Sequence, residues 1–250
     1  MITLKTKNLH KHFGGVKAVN GASLSFESGK ITSLIGPNGS GKSTLINLLT
    51  GYFPITSGTV VIGESIEKET LKPYEMAEFG VTRTFQYVAL FEQMSVMENL
   101  LVVLTERNIW KSLFEKHSEL HVKQAEDVLK RVGLWEKRNE NAENLSYGQR
   151  KLLEIGRALA MDLRSDGHAN IMFFDEPYAG LFPEMRKVIS EILKELRDQG
   201  KTIVLVEHSM DLIRELSDHV YVLDAGQLLA EGKPNEVLED KAVIEAYLGH

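Results

Sequence analysis

From residue 36 to residue 44 the chain reads Gly36-Pro37-Asn38-Gly39-Ser40-Gly41-Lys42-Ser43-Thr44. Glycines, a lysine and a hydroxyl fall at the spacing G-x-x-x-x-G-K-[ST] of loops that wrap phosphates. Gly36, Gly39 and Gly41 let the backbone curve around an anion without Cβ clashes. Backbone N–H groups along Asn38, Gly39, Ser40 and Thr44 can then converge on one point, reinforced by the positive end of the helix that follows. Lys42 is expected to reach the outer phosphates of a nucleoside triphosphate, and the Ser43 hydroxyl to take Mg²⁺. The flanks agree: Ile31–Ile35 is an apolar run of strand type, and Thr44–Leu49 has helical character. An ordinary turn needs one or two glycines, not Gly36, Gly41, Lys42 and Ser43 together.

A second element is Ile171-Met172-Phe173-Phe174-Asp175-Glu176. Four apolar residues ending in acids describe a buried strand that delivers carboxylates to the C-terminal edge of a sheet, where open α/β sheets bind ligands. Asp175 would hold Mg²⁺ together with Ser43. Glu176 is placed to polarise an attacking water, as base or as orienting group. Taken alone, an acidic pair capping a strand is the commoner meaning; downstream of a phosphate loop the balance reverses. A third element, Leu145-Ser146-Tyr147-Gly148-Gln149-Arg150, opens an amphipathic helix, with Ser146 as N-cap and Gly148 allowing close backbone approach to an anion. In isolation an ordinary capped helix is the commoner meaning.

The elements that must position these groups follow from pattern. The spacing predicts antiparallel strands over 2–9 and 16–26, then strands at 31–35, 58–63 and 81–85, the last ending at Gln86. Helical spacing covers about 95–135, as in Val96, Leu100 and Leu104, and marks an inserted helical subdomain. Helices at 147–161, 184–199 and 209–216 then alternate with strands at 171–174, 202–206 and 220–223, and helical patterns cover 234–248. Strands alternating with helices imply a parallel sheet covered on both faces. The expected fold is α/β, a phosphate-loop core with an antiparallel β subdomain and an inserted α-helical one. It is one 250-residue domain, with mainly antiparallel β over 1–30, the loop core over 31–86, the helical insertion over 87–145, and core completion with C-terminal helices over 146–250.

Composition bounds the setting. The chain is 43% hydrophobic and 26% charged, with net charge −6 and no cysteine. These values describe a globular protein without disulfide or thiolate chemistry and give no electrostatic support to general nucleic-acid binding. No apolar run reaches the roughly 18 residues that span a bilayer. Work at a membrane would therefore need another subunit.

With these elements in order, the chain resembles the ATP-binding-cassette ATPases over essentially its whole length. Leu145–Gln149 is similar to that family's signature segment and lies shortly before Asp175-Glu176, as the family arranges it. The resemblance implies that Phe13 stacks on adenine, that Gln86 joins the metal site to the helical insertion, and that His208 contacts the γ-phosphate. It also implies a head-to-tail dimer in which ATP lies between one subunit's phosphate loop and the other's Ser146, Gly148 and Gln149. The expected partners are a second cassette subunit, identical or related, and a transmembrane permease docking near residues 87–100, where Tyr87, Val88, Leu90, Phe91 and Met94 are apolar. The expected place is the cytoplasmic face of the inner membrane, held there only through the permease.

Finer matches look like the ATPase subunits of branched-chain amino acid importers. They are Phe13-Gly14-Gly15, Ala18-Val19-Asn20, Arg83-Thr84-Phe85-Gln86, Tyr147 within the signature and the ending Ala246-Tyr247-Leu248-Gly249. Lipopolysaccharide-export ATPases and urea or amide importers resemble this branch too. Soluble cassette ATPases resemble it less, because they carry tandem cassettes or long coiled coils. Two departures stand out. Phe182 occupies a position where cassettes commonly carry Asp or Asn, and Arg164–His168 form a polar insertion.

Overall fold

The computed structural model describes residues 2–84, 90–105, 119–164 and 170–248. They fall into two compact units. The first comprises residues 1–83, 170–176 and 193–250; the second comprises 84–169 and 177–192.

The first unit carries two sheets. The antiparallel one joins β1 (Ile2–Phe13), β2 (Val16–Ala22), β3 (Ser25–Glu27), β5 (Ser57–Ile62) and β6 (Ile66–Lys68). β1 runs beyond the expected 2–9 because it contains a bulge. Asn8 takes φ 47°, and the register against β5 shifts between Lys7 and His10. The expected strand over 16–26 divides into β2 and β3, which pair with different halves of β1. The buried Thr6 hydroxyl bridges that break, donating to Ala22 O and accepting from Leu24 N. β5 and β6 join this sheet although they lie after the phosphate loop in sequence.

The second sheet has the order β11-β10-β4-β9-β8-β7. It uses β4 (Lys30–Ile35), β7 (Val81–Arg83), β8 (Ile171–Asp175), β9 (Thr202–Val206), β10 (His219–Asp224) and β11 (Gln227–Gly232). Five of these strands run parallel, as the alternation of strands with helices predicts. β8 and β9 are buried at every position, as strands covered on both faces must be. β11 is an antiparallel edge added through a two-residue turn at Ala225-Gly226, both with positive φ.

The helices of this unit include α1 (Lys42–Leu49) and α2 (Pro73–Glu78). In the second unit α3 (Val96–Leu104), α4 (Glu119–Arg131) and α5 (Tyr147–Arg164) pack on one another. A capping box at Ser95 and Glu98 starts α3. α6 (Pro183–Asp198) begins in the second unit and ends in the first, followed there by α7 (Met210–Leu216), α8 (Pro234–Leu238) and α9 (Lys241–Leu248). Among the described residues no helix is long and apolar enough to cross a membrane.

Phe174 has no solvent exposure and stands one residue before Asp175. Phe174→Ala should destabilise the fold by about 3–5 kcal/mol, measured as a loss of stability in urea unfolding.

Candidate functional site

In the parallel sheet β4 lies beside β9, and β9 beside β8. Leu34 and Asp175 both register with Val206. The residues that follow these strands therefore emerge along one line: the phosphate loop after β4, Glu207 and His208 after β9, and Glu176 after β8.

The loop leaves no space for side chains at two of its glycines. Gly36 has φ 146°, and a Cβ there would lie 2.0 Å from Leu223 O. Gly41 has φ 103°, and a Cβ there would lie 2.3 Å from Ala18 O. Gly39, at φ 80°, meets only the conformational demand. The Ser40 carbonyl accepts from Gly226 N at 3.0 Å, so the turn before β11 braces the loop. Gly41 is the N-cap of α1, which puts the helix's first N–H groups at the loop.

Lys42 is buried with its ammonium inside the curve, donating to Gly36 O at 2.8 Å and Pro37 O at 2.9 Å. Burial lowers its pKa, and the negative charges of Glu176 and Asp175 work against that shift. Ser43, on the first turn of α1, is exposed.

Asp175 is buried, and its Oδ2 accepts from the Arg83 guanidinium at 3.0 Å. Glu176 adopts the left-handed φ of 49°, uncommon for a residue with a Cβ. Its N–H donates to Val206 O at 3.0 Å, which ties it to the end of β9. Its Oε1 accepts from His208 Nε2 at 3.1 Å. Two residues chosen from separate motifs thus touch.

Phe13 is not core. Its ring is 44% exposed, meets Phe53 edge-on at 5.4 Å between centroids, and has the Lys11 ammonium 4.8 Å from its centre. An exposed ring fixed by an aromatic neighbour can take a stacked base. Gln86, with Phe85, Tyr87 and Val88, lies outside the described residues, as do residues 165–168 of the polar insertion and Gly249 of the ending.

In the second unit Ser146 and Gln149 form a capping box. Ser146 N–H donates to Gln149 Oε1 at 3.0 Å, and Gln149 N–H donates to Ser146 Oγ at 3.3 Å. Gly148 is buried, and a Cβ there would lie 2.5 Å from Met185 Sδ and 3.2 Å from Leu181 Cδ2. A side chain here would have to push the flexible end of Met185 aside. Tyr147 is 52% exposed and borders Gly180, while Phe182 is 70% exposed.

Sequence reasoning assigned no role to Arg83, nor to the Ala18 and Leu223 carbonyls that wall the loop. A basic residue closing a short buried strand was the available signal for the first. The carbonyls left no signal, because any residue type supplies one.

A pinned loop around a buried lysine, with two carboxylates and a histidine along the neighbouring strand ends, defines a phosphate-loop ATPase. The family model described as ABC transporter matches residues 19–179, and that of the branched-chain amino acid ATP-binding cassette transporter matches 227–250. The chain is 40% identical to the high-affinity branched-chain amino acid transport ATP-binding protein LivG of Salmonella typhimurium, over 98% of this chain and 97% of that one. A crystal structure of the ADP conformation of an ABC-transporter cassette matches with TM-score 0.85 and 37% identity over all of both chains. A dimeric post-hydrolysis cassette bound to ADP and Pi matches with TM-score 0.78 and 27% identity over 92% of this chain and 98% of that one. The chain belongs to the ABC transporter ATP-binding proteins, in their branched-chain amino acid (LivG) branch. It is an ATPase whose hydrolysis of ATP is coupled to transport, and ATPases of this family dimerise and partner with permease subunits.

Gly41→Ala would place a methyl group against Ala18 O in a backbone conformation that alanine resists. A fluorescent ATP analogue should bind this variant at least ~10-fold more weakly, a loss of about 1.4 kcal/mol, while circular dichroism keeps the wild-type shape.

Proposed function

We propose that this chain works as one half of a head-to-tail cassette pair on a permease and hydrolyses Mg-ATP to drive uptake of branched-chain or related amino acids. In this reading it sits at the cytoplasmic face of the inner membrane. The observation that carries the chemistry is the 3.1 Å contact between Glu176 and His208, on adjacent strand ends to one side of the phosphate loop. Glu176 accepts the proton of the attacking water or orients it, and His208 fixes the carboxylate that does so. Lys42 presents its charge to the outer phosphates, and the exposed face of Phe13 takes the adenine. Ser43 and Asp175 hold Mg²⁺, which when bound neutralises charge developing on the phosphates. The partner subunit's signature helix, through the residues equivalent to Ser146, Gly148 and Gln149, completes the site from the other side. Gln86 links the site to the permease-facing stretch 87–100, in which Phe91 and Met94 are exposed.

The cargo class rests on the match of residues 227–250 to the branched-chain amino acid family model and on the full-length likeness to LivG. That match favours an importer over the lipid-export ATPases with similar endings.

Glu176→Gln should keep ATP binding, lower hydrolysis by ~10²-fold or more, and accumulate a dimer in saturating Mg-ATP by light scattering. A strain lacking the chain should lose uptake of radiolabelled leucine and regain it with wild type but not with Glu176→Gln. Unchanged leucine uptake in the deletion strain would remove the cargo assignment and leave the ATPase chemistry intact.

A further inference from the structure

Arg83 closes β7, and the chemistry above gives it no part. Its guanidinium nonetheless reaches three side chains, those of Asp175, Asn47 and Thr50. One nitrogen donates to Asp175 Oδ2 at 3.0 Å. Another donates to Asn47 Oδ1 and, at 3.4 Å, to Thr50 Oγ1. Thr50 can accept because its own hydroxyl proton goes to Ile46 O at 2.7 Å. The Arg83 and Asp175 side chains are 9% and 3% exposed, so both charges are largely removed from water.

The fork spans two elements. Asp175 ends β8, whereas Asn47 and Thr50 belong to α1 and its C-cap. Asn47 lies four residues after Ser43, hence on the same face of α1. One planar side chain therefore ties the helix face that carries Ser43 to the strand end that carries Asp175. A lysine ammonium could match the charge but could not present two fixed N–H directions to two elements.

We propose that Arg83 is a positioning residue that balances the Asp175 carboxylate and clamps α1 to β8, so that Ser43 and Asp175 are in place before a metal arrives. The proposal rests on the reading of those two residues as the metal-binding pair. Removing one member of a buried ion pair is strongly destabilising. A divalent ion at Asp175 would supply the missing positive charge, so dependence on Arg83 should be greatest without metal.

The test is thermal unfolding of the full chain as wild type, Arg83→Met, Arg83→Lys and the double variant Arg83→Met/Asp175→Asn. Each is measured in EDTA, with a non-hydrolysable ATP analogue in EDTA, and with the same analogue plus Mg²⁺. In EDTA Arg83→Met should melt about 10 °C below wild type, and the double variant should melt above Arg83→Met because the buried carboxylate that lost its guanidinium is neutral. Mg²⁺ with the analogue should raise Arg83→Met by more than it raises wild type. Arg83→Lys should recover at least half of the loss in EDTA; if Arg83→Met does not fold, Arg83→Lys and the double variant should both fold, and failure of the double variant to fold would overturn the proposal. Equal melting of the Met and Lys variants in EDTA would overturn the proposal, as would a Mg²⁺ increment no larger in Arg83→Met than in wild type. A wild type that gains nothing from Mg²⁺ beyond the analogue alone would remove the metal reading itself, and the proposal with it.

Discussion

The turn from β4 into α1 is too tight for side chains at Gly36 and Gly41, and the proposed nucleotide site depends on that tightness. The walls are carbonyl oxygens, Leu223 O from β10 and Ala18 O from β2. Carbonyls held in sheets cannot swing aside as a flexible side chain could, so the loop has one course open to it. Along that course the Lys42 ammonium sits inside the curve on the Gly36 and Pro37 carbonyls. The first N–H groups of α1 open toward the same place. The anion binding proposed here rests on backbone geometry first and on side-chain chemistry second.

Beside the loop, two charged groups are taken out of water with partners: Lys42 rests on carbonyls and Asp175 on Arg83. Such matching is what burial requires, since a charge taken from water without a partner would change its protonation or unfold the site. It also holds these side chains at defined places, which electrostatic catalysis needs. The left-handed backbone at Glu176 fits this picture. An uncommon conformation persists at the one carboxylate proposed to act on water, held by a hydrogen bond to Val206 O and a contact with His208.

The signature helix of the second unit is built from ordinary helix chemistry. Ser146 and Gln149 cap each other, and Gly148 admits Met185 and Leu181 to close contact. The same residue types thus serve two demands. The Ser146 hydroxyl and the glycine that the family reading brings to a partner's nucleotide are also the groups that start α5 and pack it. A substitution at either position acts on both at once.

How far the sequence alone reached can be seen element by element. The parallel strands were legible because burial on both faces makes them continuous apolar runs, as in Ile171–Phe174 and Thr202–Val206. The phosphate loop was legible because its steric demands leave few residue types that fit. Three short elements, β6, α2 and β11, left too little periodicity to register. β11 follows an Ala-Gly turn, a weaker hairpin signal than Asn-Gly, and its exposed edge tolerates many sequences. The extent of β1 was hidden by a bulge, which interrupts alternation without ending pairing. Which groups meet was decided only in three dimensions. His208 and Glu176 are 32 residues apart, and Arg83 and Asp175 are 92 apart. Local sequence sets which residue types stand at a strand's end. Sheet order sets which strand ends are neighbours, and that order is the outcome of packing the whole chain.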